Sequence, residues 1–110
     1  MANAYKPLGA EVVVANVDKE LYLVPAATET IVSELTICNT GSETRTFRVA
    51  HCPGAIGNVA IENYKAYDCE IAGNTAIMIC AGLSMAAANT ILVRANHAEV
   101  VFNMSGVEIS

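Results

Sequence analysis

Short alternations of apolar and polar residues, separated by turn chemistry, run along this chain, and their period of two predicts strands. The clearest covers residues 30–39. There Ile31, Leu35 and Ile37 share one face with Ser33, while Thr30, Glu34 and Thr36 share the other. Residues 39–43 (Asn-Thr-Gly-Ser-Glu) have hairpin chemistry, with Gly41 free to take a positive φ. Residues 44–51 answer with Phe47 and Val49 on one side and Thr46 and Arg48 on the other. Upstream, residues 11–17 are a Val-rich candidate with Val12 and Val14 on one face, and residues 20–24 form another that Pro25 stops. Cys52-Pro53-Gly54 opens a loop, and the longer, mixed stretch 59–71 calls for a bend or bulge.

In the last third, Ala72-Gly-Asn-Thr75 and Ala87-Ala-Asn-Thr90 place similar turns fifteen residues apart, each ahead of an apolar strand, which suits successive hairpins. Residues 99–104 and 106–110 close the chain, and residues 83–89 have room for no more than a turn or two of helix. The pattern predicts an all-β fold, a jelly-roll-like antiparallel β-sandwich of about 7–8 short strands. Its domain is residues 11–110, preceded at 1–10 by an extended arm in which Pro7 and Gly9 break any period. The expected inward face is Ile31, Leu35, Ile37, Phe47, Val49, Ile77, Ile79, Ile91, Val93, Val100 and Phe102.

The 110 residues make one domain, and 54% of them are hydrophobic. Eighteen are Ala and six aromatic, so the core must be built from Ile, Val and Leu. Val, Ile and Thr number 29, which favours a pleated surface. Charged residues are 15%, against about 25% in an average soluble protein. The net charge of −5 and scattered cations argue against nucleic acid, whose binders carry a basic stripe. Sparse charge suits a protein that buries neutral surface against neighbours.

Cys38, Cys52, Cys69 and Cys80 are an even set that could form two disulfides. No secretory signal opens the sequence and no Cys-x-x-Cys pair occurs, so reduced thiols are the expectation and no metal or cofactor is implied. His51 and Cys52 are adjacent and would point to opposite faces of a strand. Residues 71–93 carry no charge, yet Asn-Thr turns interrupt them and no basic flank marks a membrane span.

Catalytic constellations are thin. His97 has Glu99 two residues away, and Glu62, Asp68 and Glu70 surround Tyr64 and Tyr67. Neither spacing supplies a nucleophile with its base or a calcium loop, so the chain is expected not to be an enzyme. The arm is the candidate partner-binding segment, because Tyr5, Lys6, Pro7 and Leu8 lie outside the core pattern and need a neighbour to bury them.

The arm Met1-Ala-Asn-Ala-Tyr-Lys-Pro-Leu-Gly9 resembles the start of small structural proteins of tailed bacteriophages. So do Leu21-Tyr-Leu-Val-Pro-Ala-Ala-Thr-Glu-Thr30, Val32-Ser-Glu-Leu-Thr-Ile-Cys-Asn-Thr-Gly41, Thr46-Phe-Arg-Val-Ala50, Ala66-Tyr-Asp68, Ile71-Ala-Gly-Asn-Thr75 and the ending Val101-Phe-Asn-Met-Ser-Gly-Val-Glu-Ile-Ser110. The likeness covers nearly the whole chain, while the four cysteines and the loop Pro53-Gly-Ala-Ile-Gly57 depart from the pattern. It implies a virion structural protein on the outer capsid, assembled in a bacterial cytoplasm. Such a cement or decoration protein would bind the major capsid protein and itself, as a homotrimer. The alternative is a tail, baseplate or fibre module that binds a host receptor or glycan.

Overall fold

The alternating segments pair into two antiparallel sheets in the computed structural model, which describes residues 3–79 and 82–110. In chain order the strands are β1 (Asn3–Val12), β2 (Lys19–Leu23), β3 (Glu29–Asn39), β4 (Arg45–Cys52), β5 (Tyr64–Ile71), β6 (Thr75–Ile79), β7 (Leu83–Met85), β8 (Thr90–Ala95) and β9 (Val100–Ile109). The first sheet runs β1-β9-β3-β6, with β7 also on β3; the second runs β2-β8-β4-β5. The pairs β1·β9, β2·β8, β3·β6/β7 and β4·β5 are nested, as in one long hairpin with its tip between β4 and β5. Rolling that hairpin up adds β9·β3 and β8·β4. This is the jelly roll, an all-β sandwich whose strands change sheets at most turns. Among the described residues there are nine strands rather than seven or eight, because β6 and β7 share one edge of β3.

Between the sheets, the Phe47 and Phe102 rings meet edge to face, 6.5 Å apart at 69°. Leu35, Ile37, Val49, Ile91, Val93 and Val100 are buried around them as expected, and Ile77 and Ile79 pack half-buried at the margin. Ile31 departs from the expectation. Ser33 is a bulge against β9, with the register shifting between Val32 and Glu34, so the alternation slips by one. Val32 is fully buried and Ile31 is 40% exposed. Val12 and Val14 likewise face out, and Val13 is the buried residue between them.

Two connections also differ from expectation. Residues 39–43 do not form a hairpin; they carry the chain from β3 in one sheet to β4 in the other. Buried Asn39 organises that crossing: its side-chain nitrogen donates to the Glu43 and Ile71 carbonyls (2.7 and 3.1 Å), and its oxygen accepts the Gly41 N–H at 3.0 Å. Gly41 is not at positive φ. The Glu99 carboxylate, the end of a flexible side chain, lies where a Cβ would stand. The Asn-Thr turns are real, with Asn74 and Ala88 left-handed at φ 53° and 67°, but they too join strands of different sheets.

Residues 3–10 are not an arm apart from the domain, and Met1 and Ala2 lie outside the described residues. From Asn3 onward the chain is strand β1, in register with β9 from Asn3↔Ile109 to Val12↔Val101. Pro7 looks like a strand breaker, yet an edge strand tolerates proline at a bulge, and the register shifts between Pro7 and Gly9. Gly9 is required where the backbone passes the Leu21 carbonyl too closely for a Cβ.

Phe102→Ala should cost about 3–5 kcal/mol in chemical denaturation. Val32→Ala should cost about 1.5–3 kcal/mol, while Ile31→Ala should stay within about 0.5 kcal/mol of the parent. The reverse order for Val32 and Ile31 would exclude the bulge at Ser33.

Candidate functional site

The two sheets treat their outer faces differently. Over the second sheet, the loop between β4 and β5 folds back: Ile56, Val59 and Tyr64 pack on Ala50, Cys52 and Leu92, which are fully buried. Asn89 ties this end together, bonding His51 Nε2 at 2.9 Å and donating to the Pro53 carbonyl at 3.3 Å. His51 and Cys52 thus point opposite ways, as the alternation requires. Burial pushes the Cys52 thiol above its ordinary range. Cys38, Cys52 and Cys69 are free thiols, and Cys80 lies outside the described residues.

The first sheet has a bare outer face. Its rows follow from the registers: Val12–Val101–Cys38–Ala76, then Ala10–Asn103–Thr36–Met78, and toward the other end Tyr5–Val107–Ile31–Ser84. Met78, Tyr5 and Val12 are exposed by 65%, 67% and 62%. Among the described residues the only charged side chains facing this way are Glu34, near the middle, and Glu29, in the end row. The remaining charges lie at the rims, between the sheets or on the second sheet, so apart from those two carboxylates the plane is uncharged.

The four arm residues are divided by this geometry. Tyr5 lies on the bare face: its hydroxyl donates to Ser33 Oγ at 2.8 Å, and Ser33 donates to the Ser105 carbonyl at 3.1 Å. The Tyr5 ring therefore spans β9. Pro7 stands opposite Ser105 on the same face. Leu8 turns in and packs on the core. Lys6 reaches Glu108 at 2.5 Å. That carboxylate, only 13% exposed, also accepts the Tyr22 hydroxyl from the opposite sheet, and Tyr22 bonds Thr30 at 2.8 Å. Lys6 first and Tyr22 second hold the Glu108 carboxyl below the usual range, while burial and that carboxylate push the Tyr22 phenol up to about 12. This network closes the space between the sheets and ties β1 down; sequence spacing gives no sign of it, since Lys6 and Glu108 lie at opposite ends of the chain.

His97 and Glu99 do come together, with Nδ1 3.4 Å from the carboxylate. Arg45 holds the same carboxylate at 3.1 Å and Glu43 at 3.2 Å, making an ion-pair cluster at one end of the roll. Among the described residues, no three His, Cys, Asp or Glu side chains gather as metal ligands, and no helix is long and apolar enough to cross a membrane. No protein-family model matches the chain, and no curated protein matches it.

The Glu108 network makes stability depend on acid. A depressed carboxyl contributes fully above its unfolded pKa, about 4.3, and the contribution is lost as pH falls through the lower folded value. Melting midpoints should therefore drop below about pH 4, and Glu108→Gln should flatten that drop. Deleting residues 2–9 should lower the midpoint at neutral pH, because it removes an edge strand rather than a tail.

Proposed function

We propose that this protein is a virion structural protein of the cement type, a binding module rather than an enzyme, which docks on the outside of an assembled capsid. The observation that carries this reading is the bare, nearly uncharged outer face of the first sheet in a chain of net −5. A protein of that charge meets fewer unfavourable pairings through a neutral plane than through any other side. Strand spacing gives the plane about 500 Å², below the roughly 800 Å² per partner of a standard interface. Val14 and Val17, exposed by 69% and 50%, follow just beyond β1 in the connection to β2. Small contacts suffice where copies cooperate on a lattice, and a ligand that binds only the assembled shell stabilises the shell by mass action. The major capsid protein is the occupant in this reading, with three copies of the chain meeting at a lattice junction. The sequence likeness to tailed-phage structural proteins supports it.

Purified particles lacking the protein provide the test. Met78→Glu and Thr36→Lys, both on the bare face, should abolish co-sedimentation with particles while leaving the melting midpoint within a few degrees. Lys65→Glu, on the second sheet, should bind as the parent does. Equal binding by all three variants would exclude the face. A handful of copies per virion, rather than hundreds, would favour the tail or baseplate instead.

A further inference from the structure

The outer side of the second sheet carries a second feature, remote from the neutral plane. Arg48 on β4 and Arg94 on β8 are directly opposite each other. Like charges in that relation destabilise a sheet, and this chain has only six Lys and Arg to place. Folding alone gives no reason to put two of them together.

Each arginine is held by its own aspartate. Asp68 accepts from Arg48 Nε at 2.6 Å and Nη2 at 3.1 Å, and Asp18 accepts from Arg94 Nη1 at 3.3 Å. Asp68 is delivered by a bulge. Between Phe47↔Cys69 and Val49↔Ala66, the single residue Arg48 faces two residues of β5, Tyr67 and Asp68. Asp68 adopts φ 50° there, a left-handed conformation that costs a non-glycine residue about 1 kcal/mol or more. The same bulge sets the Tyr67 ring against the Arg48 guanidinium, 4.1 Å from its centroid, with Tyr64 edge-on at 4.9 Å. Stacked on one side and clamped along one edge, Arg48 has a fixed orientation before any ligand arrives. Bulges re-aim side chains in this way beside binding sites.

Beside Arg48 is a cavity of about 240 Å³ lined by Asn16, Thr46, Arg48, Asp68, Arg94 and Asn96. The turn at Asn16 is anchored through its own N–H to the Ala95 carbonyl at 2.8 Å. Asn96 Oδ1 accepts the Thr46 N–H at 3.1 Å, which leaves its amide nitrogen as a spare donor. The two guanidinium charges are balanced by the two carboxylates, so the cavity offers no net attraction to a multiply charged anion. It offers donors and acceptors side by side on planar groups, the arrangement that pairs with vicinal hydroxyls.

From this we infer that the cavity binds a neutral sugar residue of a glycan. The site is independent of shell attachment and survives the failure of that proposal.

The full chain, labelled with nitrogen-15, can be titrated with glucose, galactose, mannose, fucose, N-acetylglucosamine and N-acetylgalactosamine, and separately with sulfate. At least one sugar should produce saturable shifts centred on Asn16, Arg94 and Asn96 at millimolar concentration. Arg94→Lys keeps the charge but loses the planar donors, and Asn96→Ala loses the spare amide; each should weaken that affinity about tenfold. Should Arg94→Lys fail to fold, Asn96→Ala carries the test. Absence of saturable shifts with all six sugars overturns the inference. So does saturation by sulfate alone, which would mark an anion site, and so does sugar binding unchanged in the variants.

Discussion

β9 is hydrogen-bonded along both edges, to β1 on one side and β3 on the other, and that double pairing closes the roll. The same strand carries Phe102, which meets Phe47 from the opposite sheet. One ten-residue segment therefore sets both the width of the first sheet and the position of the second against it. Once Phe102 points inward, Val101 and Asn103 must point outward, and their rows extend to β1 on one side and to β3 and β6 on the other. The neutral plane is a consequence of that parity as much as of composition.

The molecule handles its two outer faces by different means. The second sheet is covered by its own loop and carries the stacked and paired arginines. Among the described residues, the outer face of the first sheet keeps neither a covering loop nor a network of charges. Its polar links, Tyr5 to Ser33 and Ser33 to the Ser105 carbonyl, run within the plane and tie strands to one another. An exposed sheet face with so little charge is unusual unless something covers it. That imbalance is the reason to place the two proposed recognition surfaces on opposite sides of the sandwich.

Much of the fold is legible in the sequence wherever a strand keeps its period. Leu35 and Ile37, Phe47 and Val49, Ile91 and Val93, and Val100 with Phe102 all point inward as the alternation requires. The reading fails at bulges, because one inserted residue reverses every side chain on one side of it. Ser33 exchanges Ile31 for Val32, and Tyr67-Asp68 turns two residues toward one arginine. It fails again at turns. Asn39–Glu43 has the composition of a hairpin, yet composition cannot say whether the next strand lies beside the last or in the other sheet. Pairings such as Lys6 with Glu108, or Arg48 with Arg94, depend on which distant strands become neighbours, and local pattern carries no trace of that. Arg48 was visible as an outward residue of its strand; Arg94 gave no signal until the register put it opposite.

The central place of β9 also orders events during synthesis. The ribosome makes β1 and β3 well before residues 100–109, and until those emerge β1 lacks its sheet partner and β3 keeps one long open edge. Val32, Leu35 and Ile37 wait uncovered through that interval, on a chain with few charges to keep copies apart. Pairings so distant in sequence form slowly, and open strand edges are where nascent chains stick to one another. Yield in a cell is then governed by how quickly the late strand arrives and threads between its two neighbours, more than by the stability of the finished fold.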